Sequence, residues 1–116
     1  MNGLGELERA AMDVLWDRDE PVAVRDVVRA LADRDLAYTT VMTVLNRLAK
    51  KGFVRREAGE GRAWYYTPVA SREQYVARLM LDALSLTGDR ETALAHFAQS
   101  MTAPEAEALS QALDER

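Results

Sequence analysis

The residues best suited to bind a ligand lie between Tyr38 and Lys51, where threonine, asparagine, arginine and lysine recur at helical spacing. Successive residues of a helix are about 100° apart. On that spacing one face collects only polar side chains: Thr39, Thr40, Thr43, Asn46, Arg47, Lys50 and Lys51. Hydroxyl, amide and cationic groups in such a row can hydrogen-bond to the phosphates and base edges of a nucleic acid.

The opposite face of the same segment is apolar and predicts a helix packed on a core. Four aliphatic side chains fall within a sector of roughly 100°, as a core-facing stripe requires: Val41, Val44, Leu45 and Leu48. Thr39 or Thr40 is predicted to cap the start of this helix, and Gly52 to supply the left-handed residue that ends it.

After Gly52 the pattern changes from helical to alternating, which predicts a β-hairpin. Its strands are Phe53–Glu57 and Arg62–Thr67, separated by Gly59-Glu60-Gly61 and ended by Pro68. Because side chains alternate along a strand, two of Trp64, Tyr65 and Tyr66 are expected to point inward or to pack at the root of the wing. A helix followed by a basic hairpin is the order in which a winged helix-turn-helix contacts DNA.

The charge distribution supports a nucleic-acid partner although the chain as a whole has a net charge of −4. The helix-hairpin segment has an excess of cations, with Arg47, Lys50, Lys51, Arg55, Arg56 and Arg62 against Glu57 and Glu60. The acidic excess lies beyond residue 70. The negative total charge therefore does not argue against DNA binding by this segment.

Composition excludes several other classes of protein. There is no cysteine and one histidine, so disulfides, thiolate metal sites and most catalytic constellations are excluded. We expect no enzyme activity, no metal and no cofactor. No long apolar run or signal-like start is present, which favours a cytoplasmic protein without membrane insertion.

Flanking segments complete a mainly α fold with a small β wing. Helices are predicted over Leu4–Trp16 and Arg25–Asp33, and Val22–Val24 could add a third strand. These elements place a winged helix-turn-helix DNA-binding domain in residues 1–70.

Residues 71–116 are predicted to form a helical dimerisation domain of three short helices, of which the first is capped by Ser71 and ended by Thr87-Gly88-Asp89, and the third opens at Thr102. So short a segment is near the lower limit for an independent core, so its apolar stripes are expected to pack against a second copy. The predicted interface residues are Tyr75, Val76, Leu79, Met80, Ala83, Leu84, Leu94, Phe97, Leu109 and Leu113.

Three sequence segments together resemble the penicillinase-repressor family, which includes BlaI, MecI and the copper-responsive CopY. They are LGELERAAMDVLW, LAYTTVMTVLNRLAKKGFV and GRAWYYTPV, and the resemblance covers nearly the whole chain from Leu4. It implies a dimeric winged-helix repressor that occupies a pseudo-palindromic operator, with the third helix in the major groove and the C-terminal helices forming the dimer.

The resemblance also implies roles for individual residues. Base reading falls on Thr39, Thr40, Thr43 and Arg47, and phosphate binding suits Lys50, Lys51 and Arg62. Some members carry lysine where this chain has Thr39, so its operator preference could differ from theirs.

How repression is relieved is less well defined by the resemblance. The cysteine-based copper switch is excluded here. Members that respond to β-lactams are released when a membrane sensor-protease triggers cleavage at an Asn-Phe bond, and the matching pair here is His96-Phe97. We expect His96 to be an ordinary surface or interface histidine. The regulated genes would serve β-lactam resistance or the cell envelope.

Two other functions remain open. A small-molecule-sensing regulator resembling the MarR group would use the same DNA module, but the C-terminal segment is short for enclosing a ligand pocket. A winged-helix protein-interaction module would keep the fold without needing the basic face.

Overall fold

A computed structural model of the chain describes residues 4–116, which form six α-helices and one three-stranded sheet. The helices are α1 Glu6–Trp16, α2 Val24–Ala30, α3 Tyr38–Lys50, α4 Arg72–Leu84, α5 Arg90–Ser100 and α6 Ala103–Glu115. The strands are β1 Val22–Ala23, β2 Val54–Ala58 and β3 Trp64–Pro68. The prediction of a mainly helical fold with a small β wing is confirmed. Residues 1–3 of the predicted DNA-binding domain lie outside the described range.

The chain divides into two compact units, of which the first ends at Leu79 and the second comprises Met80–Arg116. The first unit contains α1 to α3, the sheet and the beginning of α4. The second contains the end of α4 together with α5 and α6.

Helix α3 packs on the core through the aliphatic stripe that its sequence predicts, since Val41, Val44, Leu45 and Leu48 are all buried. The helix begins earlier than predicted: Ala37 is the N-cap, and its carbonyl accepts from the N–H of Thr40 and of Val41. The prediction of a threonine cap was therefore wrong, and Thr39 and Thr40 lie within the first turn of the helix.

The end of α3 is set by Gly52, as predicted. Gly52 has φ +85°, a left-handed conformation that glycine adopts without steric cost. The N–H of Phe53 donates to the carbonyl of Leu48, and the N–H of Gly52 to that of Ala49. These two bonds form the Schellman arrangement that ends a helix, and they direct the chain into β2.

The sheet has the strand order β1-β3-β2 and all its pairs are antiparallel. Val22 pairs with Tyr66, so the predicted third strand is confirmed, and Arg56 pairs with Tyr66 from the other side. The second helix is shorter than predicted. Helix α2 ends at Ala30, and a 3₁₀ turn, Ala32–Arg34, leads towards α3.

The core of the first unit joins α1, α2, α3 and the sheet. Its fully buried side chains include Leu15, Val27, Leu45, Leu48 and Tyr66, each with no exposed fraction. Because α3 contributes four core residues from one face, its other face has to point into solvent.

The first turns of α4 belong to this unit. Ser71 caps the helix by accepting from the N–H of Gln74 at 3.1 Å. Tyr75 is buried with its ring centroid 5.5 Å from that of Trp16 and 5.8 Å from that of Phe53, and its hydroxyl accepts from the N–H of Leu4. The structure thus places Tyr75, a predicted dimer-interface residue, in the packing of its own chain.

Glu8 is a buried carboxylate that links α1 to the end of α3. Its side chain is 11% exposed and its oxygens accept from the Nζ of Lys51 at 2.7 and 3.0 Å. The N–H of Gly5 donates to the same carboxylate. The Lys51 bonds are the main cause of a lowered pKa for Glu8; burial opposes this shift and the Gly5 bond adds to it.

Replacing Glu8 with glutamine should lower the free energy of unfolding at neutral pH by about 1–3 kcal/mol, because charge-assisted hydrogen bonds to a buried group are lost. Since folding lowers the pKa of Glu8, its stabilisation is present above the ordinary glutamate pKa of about 4.3 and disappears as the pH falls through the folded value. Urea unfolding of wild type and E8Q across this pH range measures the difference. The two proteins should converge in acid.

Glu6→Gln is the matched control, because it removes one carboxylate from the same helix at a side chain that is 74% exposed. Its effect should be much smaller than that of E8Q. Equal effects at neutral pH would show that the Glu8–Lys51 contact has no special role.

The second unit buries little of its own apolar surface. Helix α5 is capped by Asp89, and α6 begins with a capping box between Thr102 and Glu105. None of the residues of α5 and α6, all of which the structure describes, is buried. Within residues 4–116 no helix is long and apolar enough to cross a membrane.

Candidate nucleic-acid interface

The outward face of α3 presents the side chains that the sequence singled out. Thr39, Thr40, Thr43, Arg47 and Lys50 are all exposed. The hydroxyl of Thr43 donates to the carbonyl of Thr39 at 2.9 Å, so its proton is used within the helix. The methyl group and the two lone pairs of the Thr43 hydroxyl remain for an external contact.

The hairpin β2–β3 adds three more guanidinium groups. Arg62 is exposed in its turn, and Arg55 and Arg56 are exposed on β2. Among residues 4–116 no carboxylate lies within 4.0 Å of the cationic atoms of Arg47, Lys50, Arg55, Arg56 or Arg62. These cations are therefore not neutralised by ion pairs with those residues.

A groove runs between α3 and β2. Its volume is about 620 Å³, and it is lined by Thr43, Asn46, Arg47, Ala49, Lys50 and Arg56. Four residues of that lining can donate hydrogen bonds to a ligand, and three of the four carry a positive charge: Asn46, Arg47, Lys50 and Arg56. Such a lining suits an anionic ligand with exposed acceptors.

Asn46 joins the helix to the hairpin at this groove. Its Oδ1 accepts from the hydroxyl of Tyr66 at 2.7 Å and from Nη1 of Arg56 at 3.3 Å. The guanidinium carbon of Arg56 lies 4.1 Å from the ring centroid of Trp64, a cation–π contact. Burial raises the pKa of Tyr66, and the hydrogen bond with Arg56 partly offsets this.

The roles of Arg56, Trp64 and Tyr66 in this junction were missed by sequence reasoning. Only Tyr66 of the three aromatic residues is buried; Tyr65 is half-buried and Trp64 is 42% exposed. Inward packing is therefore complete for Tyr66 alone of these three, while Trp64 packs against Arg56 of the hairpin. The observed pairs are centred on Gly61, which places Arg56 opposite Tyr66; a turn centred on Glu60, the middle of the predicted turn, would instead have placed Arg56 opposite Trp64.

Lys51 lies apart from the other predicted phosphate-binding residues. Its ammonium group binds Glu8 on α1, so it has a structural contact that the sequence did not predict. Lys50 and Arg62 remain exposed.

The outward face of α3 and the arginines of the hairpin together form a surface with the chemistry of a binding site. The described residues contain no group of three or more histidine, cysteine or acidic side chains placed to hold a metal ion. Exposed hydroxyls on a helix, beside cations that form no ion pair with residues 4–116, can contact base edges and phosphates of a duplex.

A family model described as "Penicillinase repressor" matches residues 4–115. The chain is 55% identical over 116 residues to proteins named "Transcriptional regulator BlaI" from two strains of Mycobacterium tuberculosis, CDC 1551 / Oshkosh and ATCC 25618 / H37Rv. Each alignment covers 97% of this chain and 83% of the relative.

Solved structures with a similar fold include regulators. A MarR family protein from Bacillus stearothermophilus has a TM-score of 0.52 and 16% identity, over 97% of this chain and 71% of that one. A complex structure of hsRosR-S4 has a TM-score of 0.57 and 19% identity, over 93% and 94%. A probable transcriptional regulator from Pseudomonas aeruginosa has a TM-score of 0.51 and 25% identity, over 98% and 79%.

Proposed function

We propose a function for this chain on the premise that it belongs to the penicillinase repressor family, as the comparisons show. In this proposal the protein is a transcriptional repressor, and it binds a pseudo-palindromic DNA operator as a homodimer. The observation that carries the proposal is the exposed threonine and cation face of α3 beside a hairpin whose arginines have no ion pairs within the described residues. The relatives' name, transcriptional regulator, supports it. The same membership argues against an enzyme.

In this proposal residues 1–70 bind DNA, with α3 in the major groove. Thr39, Thr40, Thr43 and Arg47 contact base edges, where threonine methyls suit thymine and the arginine fork suits guanine. Lys50 and Arg62 contact phosphates, which adds affinity and salt dependence. Lys51 is left out of this set because its ammonium group binds Glu8.

Residues 71–116 form the dimer in this proposal. Exposed apolar side chains recur along α4, α5 and α6, among them Val76, Met80, Leu94, Phe97, Leu109 and Leu113. Ala83 is exposed too, and Leu79 and Leu84 are half-buried. In the single chain α5 and α6 bury none of their residues. A second copy that covers these apolar side chains would therefore stabilise the helices. Tyr75 is not included, since it is buried in its own chain.

The family suggests what the repressor controls and how it is released. We propose that its genes serve β-lactam resistance or the cell envelope, and that a membrane sensor-protease relieves repression. The pair His96-Phe97 lies inside α5, so cleavage there would require local unfolding of that helix. Transcript levels in a deletion strain, and the mass of the protein in cells exposed to a β-lactam, would test these two points.

A second candidate function is favoured by one observation in the first unit. A cavity of about 370 Å³ is lined by Met12, Trp16, Phe53 and Tyr75, with Gln74 and Arg78 among its polar residues. Aromatic walls with a few polar groups are typical of small-molecule sites. A ligand-sensing regulator would be stabilised in thermal shift assays by compounds that fill this cavity, and a W16A variant would lose that stabilisation.

Selection of bound sequences from random DNA tests the main proposal. A symmetric motif is expected, with half-sites about one helical turn, or roughly 34–36 Å, apart. An asymmetric motif would exclude a two-fold dimer on DNA, and the absence of any motif would favour a winged-helix protein-interaction module.

A further inference from the structure

Asn46 occupies the middle of the proposed DNA-contacting face, and the role argued for it rests on the proposed function. It follows Thr39 by seven residues, close to two helical turns of about 3.6 residues each. Both side chains therefore point to the same side of α3, and Asn46 lines the groove beside Arg47 and Lys50.

The orientation of the Asn46 amide is fixed by its neighbours. A guanidinium has donors and no acceptor, so the Asn46 atom that faces Arg56 must be the carbonyl oxygen. The buried hydroxyl of Tyr66 donates to the same oxygen. Both lone pairs of Oδ1 are then engaged, and the two N–H groups of Nδ2 are left for other partners.

Arg56 is itself restrained from two directions. Its guanidinium stacks on Trp64, and its backbone pairs with Tyr66 across the hairpin. The contact to Asn46 is thus part of the connection between α3 and the wing. Rotation of the amide would bring Nδ2 against the Arg56 guanidinium, which has no acceptor, so this hydrogen bond would be lost.

We propose that Asn46 is a specificity-determining residue that acts only as a hydrogen-bond donor to a base edge in the major groove, with Arg56 and Tyr66 as the positioning residues that enforce this. Asparagine ordinarily reads adenine through both a donor and an acceptor. In this protein Oδ1 of Asn46 already accepts two hydrogen bonds, so Asn46 cannot form the paired donor and acceptor contact with adenine. The donor suits guanine N7 and O6 or thymine O4, it can contact adenine only through N7, and it rejects the amino group of cytosine.

The test is selection from random DNA with the full chain and its variants, followed by anisotropy titration of single-base changes. Wild type should prefer guanine or thymine to cytosine at one position of each half-site, by about 3- to 10-fold, the range of one net hydrogen bond. Asn46→Asp keeps the acceptor for Arg56 and Tyr66 but has no N–H. It should shift that preference towards cytosine, whose amino group a carboxylate accepts.

Arg56→Ala and Arg55→Ala form a matched pair for the positioning role, since each removes one exposed cation from β2. Both should weaken binding and reduce its salt dependence. Only Arg56→Ala should change base preference, by strengthening binding to adenine at the Asn46 position, because the freed lone pair of Oδ1 can accept from the adenine amino group. Circular dichroism melting curves identify any variant that fails to fold, and Tyr66→Phe, which keeps the buried ring, then serves as the second way to free Oδ1.

The experiments distinguish failure of the role proposed for Asn46 from failure of the proposed repressor function. If Asn46→Asp selects the same motif as wild type, the role proposed for Asn46 is wrong, whereas the proposed repressor function is unaffected. Equal base preferences for Arg56→Ala and Arg55→Ala would overturn the positioning role. A wild-type protein that selects no motif would overturn the proposed function and the role of Asn46 with it.

Discussion

Replacing Phe97 with glutamate should convert the proposed dimer into a monomer and reduce operator affinity by about 10²- to 10⁴-fold. Phe97 is 45% exposed on α5, and a charge in a buried apolar interface costs far more than it does in water. When two DNA-binding units are no longer joined, the second half-site loses its high effective concentration. Light scattering coupled to gel filtration should report the 13.0 kDa of a single chain, and anisotropy the loss of affinity.

Gln99→Glu is the control, since it adds the same charge at another exposed position of α5. It should remain dimeric and bind DNA nearly as wild type does. A dimeric Phe97→Glu protein with normal affinity would show that the exposed apolar side chains of α5 are not the interface.

Replacing Arg47 with alanine should cost on the order of 1–3 kcal/mol per half-site and relax specificity at one base pair. The guanidinium is exposed on α3 and has no ion pair with the described residues. It can therefore form two hydrogen bonds to guanine without first losing a partner. Anisotropy titrations against the selected operator and its single-base variants measure both effects.

Lys50→Ala is the comparison for Arg47→Ala, because it removes one cation from the next turn of the same helix. It should weaken all DNA sequences alike and reduce the salt slope by about one. If the two variants gave the same base preferences and the same salt slopes, the assignment of separate reading and anchoring roles would be wrong.

Helix α3 and the hairpin could be predicted from the sequence because their signals are local. The four aliphatic side chains of α3 repeat at helical spacing. Position 52 has φ +85°, and glycine is the residue type that adopts such a conformation most readily. The exposed face of α3 follows from the buried one. The predicted start of the helix was two or three residues late, because Ala37 is the N-cap although threonine is the more usual residue at that position.

The contacts of Lys51, Tyr75 and Asn46 could not be predicted because they depend on residues distant in sequence. Lys51 is adjacent to Lys50 and looks equivalent to it, yet it meets Glu8 of α1 in the folded chain. Tyr75 shares a helical stripe with exposed residues such as Met80, but only Tyr75 reaches Trp16 and Phe53. The orientation of the Asn46 amide depends on Arg56 and Tyr66, which the hairpin places beside it.

The measurement that tests the central claim most directly is the stoichiometry and affinity of the protein on DNA with two half-sites and on DNA with one. A homodimeric repressor should bind the full operator as two chains per duplex, much more tightly than the half-site, with affinity that falls steeply as salt rises. One chain per duplex with equal affinity for both DNAs, or no salt-dependent binding to either, would contradict it.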